Sequence, residues 1–107
     1  MAKNLNFVLL LDCYGELLTK RQKEIAELYY NEDFSLTEIA QIQQISRQAV
    51  SDSLRHSEQI LSQTETKLGM AARIGTMRNC LEQILVSCQS EDIPRITELA
   101  ANGLQLL

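Results

Sequence analysis

The 107-residue chain has no tryptophan, one proline (Pro94), four glycines, one histidine (His56) and five aromatic side chains. With so little proline and glycine, few positions can break a helix or make a sharp turn. The three cysteines, Cys13, Cys80 and Cys88, form no C-x-x-C pair, and an odd number excludes a complete intrachain disulfide set. They read as small buried apolar residues in a reducing cytoplasm. His56 has no cysteine near it in sequence, so no metal site and no cofactor are expected. Long apolar runs are also missing. Phe7–Leu11 is too short for a signal peptide and no stretch approaches the ~20 apolar residues of a membrane span, so the expectation is a cytoplasmic protein without membrane insertion. Positive charge is scarce as well. Ten Lys and Arg stand against fourteen Asp and Glu, a formal net charge of -4. That balance argues against general nucleic-acid binding, whose affinity comes mainly from neutralising phosphates.

What is present is helix-forming: 45 % of residues are apolar, and Leu, Ile, Ala, Glu and Gln abound. Six helices and no strand are expected, in an all-α domain. Asn4 opens the first, running through Leu17, and Phe7–Leu11, Tyr14, Leu17 and Leu18 cover more than one of its faces. A helix apolar on most sides is buried on most sides. Thr19-Lys-Arg-Gln22 is a capping box opening the second helix, which ends near Tyr30, with Ile25, Leu28 and Tyr29 inward. Tyr29 and Tyr30 read as core and rim. Ser35-Leu-Thr-Glu38 is a second capping box, with Leu36, Ile39, Ala40 and Ile42 facing in. Gln43-Gln44-Ile45 is a tight connection. Ser46 then caps a fourth helix reaching Leu68, where Gly69 stops it.

On this fourth helix Val50, Leu54 and Leu61 line one side, with Ser57 among them and Leu68 continuing the line. Gln48, Ser51, Asp52, Arg55 and His56 fall on the other side. After Gly69 a fifth helix carries the stripe Met77, Cys80, Leu81, Ile84, Leu85, Cys88. "SEDIP" (Ser90–Pro94) opens a sixth, with Ile93, Ile96, Leu99, Ala100 and Leu104 as its stripe.

Short helices followed by a longer one, with S-x-x-E opening the third and Ser46-Arg47 the fourth, is the arrangement of a helix-turn-helix. Ser46, Arg47, Gln48, Ser51, Asp52 and Arg55 are its candidate contact residues. Arg can donate to guanine and Gln to adenine from a helix in the major groove, and Ser46 with nearby amides could hold a phosphate. Asp52 opposes this by repelling phosphate. Between Ser35 and His56 the acids Glu38 and Asp52 balance Arg47 and Arg55, which leaves no net positive field. Lys20, Arg21 and Lys23 open the second helix; the plainer reading is a solvated charged face, the functional one a phosphate contact. The carboxylates are scattered, with neither a nucleophile–base spacing nor a Gly-rich phosphate loop, so neither an enzyme nor a small-molecule substrate is expected.

"YGELLTKRQKEIAELYYNEDFSLTEIA" (Tyr14–Ala40) and "ISRQAVSDSLRHSEQIL" (Ile45–Leu61) resemble the YlxM family of small bacterial proteins, similar to the promoter-recognising last region (region 4) of sigma factors. The resemblance covers roughly residues 5–68. It implies an all-α, sigma region 4-like helix-turn-helix bundle over residues 1–68. Residues 69–107 are then a C-terminal helical support or dimerisation region of the same domain. It also implies homodimers and a regulatory or accessory role in the signal recognition particle pathway, with its GTPase or its RNA as partner and DNA as the alternative. Phe7, Leu10, Leu11, Met77, Leu81 and Ile84 are the candidate dimer surface. The family usually has an apolar residue and then glycine at the connection, where this chain has Gln43 and Gln44. It commonly has Tyr-Asp-Asn where this chain has Ser51-Asp52-Ser53.

Overall fold

The computed structural model describes residues 5–107, apart from the Leu5 side chain. Six α-helices follow in order: α1 (Leu5–Tyr14), α2 (Lys20–Tyr30), α3 (Leu36–Gln43), α4 (Arg47–Leu68), α5 (Met70–Gln89) and α6 (Ile93–Gln105). No strand occurs among the described residues. The protein is all-α. The expected Asn4 cap lies outside the described residues. The chain divides into two compact units, Met1–Gly69 and Met70–Leu107.

In the first unit the helix starts follow from short polar side chains. Thr19 Oγ1 accepts from the Gln22 amide at 3.2 Å while Gln22 Oε1 accepts from the Thr19 amide at 3.0 Å. Ser35 and Glu38 form the same reciprocal pair at 3.1 and 3.0 Å. Each box satisfies two backbone donors that a helix start leaves without internal acceptors. Ser46 caps α4, accepting from the Ala49 amide at 3.0 Å. Gly69, with φ 64°, ends it. A left-handed residue is what closes a helix in this way, and glycine adopts it without a Cβ clash.

Here α1, α2 and α3 pack on α4. The core contains Leu10, Leu11, Tyr14, Ile25, Ala26, Tyr29, Ile39, Val50, Leu54 and Leu61. Each large aliphatic side chain there contributes about 1.5–3 kcal/mol by leaving water. Two tyrosines also reach α4. Tyr14 Oη donates to Glu65 Oε1 at 2.6 Å, and Tyr30 Oη donates to Glu58 Oε1. Burial, then the hydrogen bond to Glu58, pushes the Tyr30 hydroxyl far above the ordinary phenol range. Phe7 and Tyr29 flank Tyr30, with ring centroids 5.9 and 5.0 Å away.

Several expected details differ. The first α-helix stops at Tyr14 and Gly15–Leu17 forms a 3₁₀ turn instead of a further α-turn. Leu17 is turned outward while Leu18 is buried, since tightening the helix rotates the side chains that follow. Ile42 is exposed, not inward. At the end of α3, Gln44 takes the left-handed conformation (φ 56°), and the Gln44 and Ile45 amides both donate to Ala40 O. That closure folds the chain back at Ile45, which is half-buried. Leu68 is exposed, about two turns beyond Leu61, the last buried residue of α4.

The second unit is a helical hairpin of α5 on α6. Asp92 caps α6 through the Arg95 amide at 3.1 Å, with Pro94 in its first turn. The seam is narrow: Cys80 and Ser87 on α5, Leu99 and Gly103 on α6. Cys80 Sγ donates to Leu99 O at 2.8 Å. A Cβ at Gly103 would meet Cys80 Sγ at 3.4 Å and Met77 Sδ at 3.6 Å, ordinary van der Waals contact, so α5 already lies against the Gly103 backbone. The expected stripes are therefore only partly buried. Leu81, Leu85, Cys88, Ile93, Ala100 and Leu104 face outward. Two helices cover one line of residues on each other, not two. The reading of all three cysteines as buried also needs correction: Cys80 is buried, Cys13 half-buried and Cys88 exposed, all as free thiols.

Candidate partner interface on the fourth helix

Helices α3 and α4 pack on each other, with Ile39 of α3 and Val50 of α4 both fully buried and the small Ala40 buried next to Ile39. That anchorage presents the opposite side of α4 outward. Arg47, Gln48, Asp52, Arg55 and His56 are exposed there, and Ser51 is half-buried. The Ser46 hydroxyl is already engaged in capping.

Asp52 is not an isolated charge. Its Oδ1 accepts from Gln48 Nε2 at 3.0 Å and from the Arg55 guanidinium. The three residues sit at i, i+4 and i+7, hence on one stripe of the helix. Arg47 stands outside this group, and among the described residues nothing pairs with it. The candidate face thus offers one uncompensated cation at its start and one self-neutralised triad further along.

The cations of α2 divide. Arg21 donates through its guanidinium to Gln43 O at 3.2 Å, which places it against the end of α3 beside the turn. A cation there satisfies a terminal carbonyl and suits the helix dipole. Lys20 shares a shallow surface depression with Arg21, Glu24 and Gln43. Lys23 turns to Glu16, and this hydrogen bond raises the Lys23 pKa and lowers that of Glu16. So Lys20 and Arg21 lie near the turn that leads to Arg47, whereas Lys23 belongs to another neighbourhood.

The candidate dimer residues divide too. Leu10 and Leu11 are buried within the single chain, and Phe7 is half-buried beside Tyr30. Leu10 and Leu11 therefore hold the first unit together and present no face to a second copy. In the second unit Leu81 is exposed, while Met77 and Ile84 are half-buried. An open cleft of about 490 Å³ runs along α5, lined by Met70, Ile74, Met77, Leu81 and Leu107 with Arg73 and Arg78. This cleft had no signature in the sequence beyond a stripe too wide for one neighbour. The Gln48–Asp52–Arg55 group was visible as a spacing, but its pairing was not.

Among the described residues no group of His, Cys, Asp and Glu is placed to hold a metal ion, and no helix is long and apolar enough to cross a membrane.

Residues 1–99 match the family UPF0122, described as "Putative helix-turn-helix protein, YlxM / p13 like". The chain belongs to the UPF0122 family. A UPF0122 protein of Acetivibrio thermocellus is 45 % identical over 93 residues, covering 87 % of this chain and 80 % of that one. One from Exiguobacterium sibiricum is 44 % identical over 98 residues, covering 92 % and 89 %. One from Desulforamulus reducens is 46 % identical over 77 residues; the match covers 72 % of this chain and 66 % of that protein. Membership in UPF0122 accords with the α3–α4 geometry: a helix-turn-helix in an all-α chain.

Proposed function

We propose that this protein is a non-enzymatic regulatory or accessory factor of the bacterial signal recognition particle pathway. It acts in the cytoplasm, through the outer face of α4, on the pathway's GTPase or its RNA. The observation that carries the reading is the internal pairing on that face: Asp52 is bound to Gln48 and Arg55, which among the described residues leaves Arg47 as its one unpaired cation, in a chain of net charge -4. Such a surface suits a folded partner better than a bare phosphate backbone. The link to the targeting pathway comes from the resemblance to YlxM proteins. A pull-down at moderate salt, with and without nuclease, tests it. Recovery of the GTPase or its RNA is expected, and recovery of neither refutes the assignment.

A second reading is a sequence-specific DNA-binding regulator. It is favoured by Arg47 at the start of α4, with Arg21 and Lys20 near the preceding turn. A selection from fragmented genomic DNA should enrich one motif under this reading and none under the first.

We also infer that the protein acts as a homodimer through the outward apolar residues of α5, with Leu81 at the centre beside Met77 and Ile84. A symmetric pair is the simplest way to cover such a stripe. Sedimentation at micromolar concentration should show a dimer; a single monomer-sized species refutes it.

A further inference from the structure

We propose that Asp52 is an internal counter-ion that sets the α4 face against nucleic acid and so selects a protein as its partner. The proposal deepens the reading given above, and rests on α4 being the contact surface. Two of the three side chains suited to base edges or phosphates on this face, Gln48 and Arg55, donate to the same Asp52 oxygen; Arg47 is the third. Asp52 thereby acts twice. It places a negative charge where a phosphate would lie, and it turns the guanidinium back along the helix.

The ion pair is solvent-exposed, with 67 % of the Arg55 and 52 % of the Asp52 side chain accessible. Exposed pairs of this kind add little to stability. The effect of Asp52 is therefore on what the surface binds, not on whether the helix folds. No other cation compensates for it nearby on the helix: Arg47 precedes it by more than one turn, and Lys23 is held by Glu16. A protein surface carrying its own mixture of donors and carboxylates can exchange partners with the triad without meeting uncompensated charge. A polyanion cannot.

The test compares wild type, D52N, D52A and D52A/R55A in full-length protein, on a random-sequence 30-base-pair duplex and on bulk transfer RNA, across a salt series. D52N removes the charge with nearly unchanged shape; D52A also removes the acceptor for Arg55. Wild type should be retained weakly. D52A should gain about tenfold in affinity, with a salt dependence steeper by about one ion. The double variant should fall back towards wild type, because the gain runs through Arg55. The proposal is overturned if neither single variant gains, if the gain survives in D52A/R55A, or if wild type already binds as tightly as D52A. A pull-down that fails to recover any targeting component, alongside a gain in D52A, would remove the pathway assignment and leave the role of Asp52 standing.

Discussion

The two units use apolar residues in opposite ways. Among the described residues, twelve of the fourteen buried apolar side chains lie in Met1–Gly69, and only Cys80 and Leu99 lie in Met70–Leu107. Of the twelve large apolar side chains left exposed, eight are in the second unit: Met70, Ile74, Leu81, Leu85, Val86, Ile93, Leu104 and Leu107. The first unit surrounds α4 with three helices, so most of its apolar surface finds a neighbour. The second has one seam and two outer faces. A pair of helices of this length buries too little to be stable alone, which is why its exposed stripe reads as an interface.

The largest effects should come from the dense unit. Ile39→Ala leaves a cavity at a fully buried site between α3 and α4, and should cost about 2–5 kcal/mol in urea unfolding. A loss under about 1 kcal/mol would show that the first unit is looser than its packing suggests. A charged substitution at Leu81 should act differently. It should weaken self-association by about a hundredfold in sedimentation while the first unit keeps its unfolding midpoint. Loss of folding in both units together would break the contrast between them.

Two smaller effects sharpen it within the first unit. Ser57 is buried among the α4 core residues, and among the described residues its hydroxyl has no partner. Ser57→Ala should stabilise by about 1 kcal/mol in thermal or urea unfolding. Gln44 holds a left-handed backbone at the helix-turn-helix connection. Gln44→Gly relieves that strain but gives the unfolded chain more freedom, so a net gain of about 0.5 kcal/mol is expected.

The smallest effect concerns pH. Lys23 lowers the Glu16 pKa, so this contribution is present above the unfolded carboxylate pKa and is lost as pH falls through the lower, folded value. Lys23 is raised, so its share is present below the unfolded amine pKa and lost as pH rises through the folded one. Glu16→Gln should slightly flatten the acid limb of the stability profile below about pH 5, and an unchanged limb would mean that the exposed pair contributes nothing.

Much of the fold was legible from local chemistry. Thr19–Gln22, Ser35–Glu38, Ser46 and Gly69 mark helix ends because capping depends on residues three or four apart, and those interactions form wherever the chain places them. The Val50–Leu54–Ser57–Leu61 line on α4 followed from the helical period. Where the reading went wrong, the deciding contact came from elsewhere. Leu10 and Leu11 are as apolar as Leu81, and nothing local distinguishes a leucine covered by α4 from one left bare. Leu28 was expected inward and is only half-buried. Ile42 was expected inward, but the closure at Gln44 turns the chain back at Ile45 instead.

The candidate face follows the same division. By itself the sequence determined an all-α chain, its helix starts, and a helix-turn-helix with Arg47, Gln48, Asp52 and Arg55 on one outer face, because period and capping are properties of neighbouring residues. Tertiary structure decided which apolar stripes are covered and that Arg21 sits at the α3 terminus while Lys23 turns to Glu16. The Asp52–Arg55 pair is local to α4, three residues apart, and was left to the rotamers of two exposed side chains. Burial and side-chain pairing depend on which surfaces and rotamers meet in space, and spacing along the chain only narrows that choice.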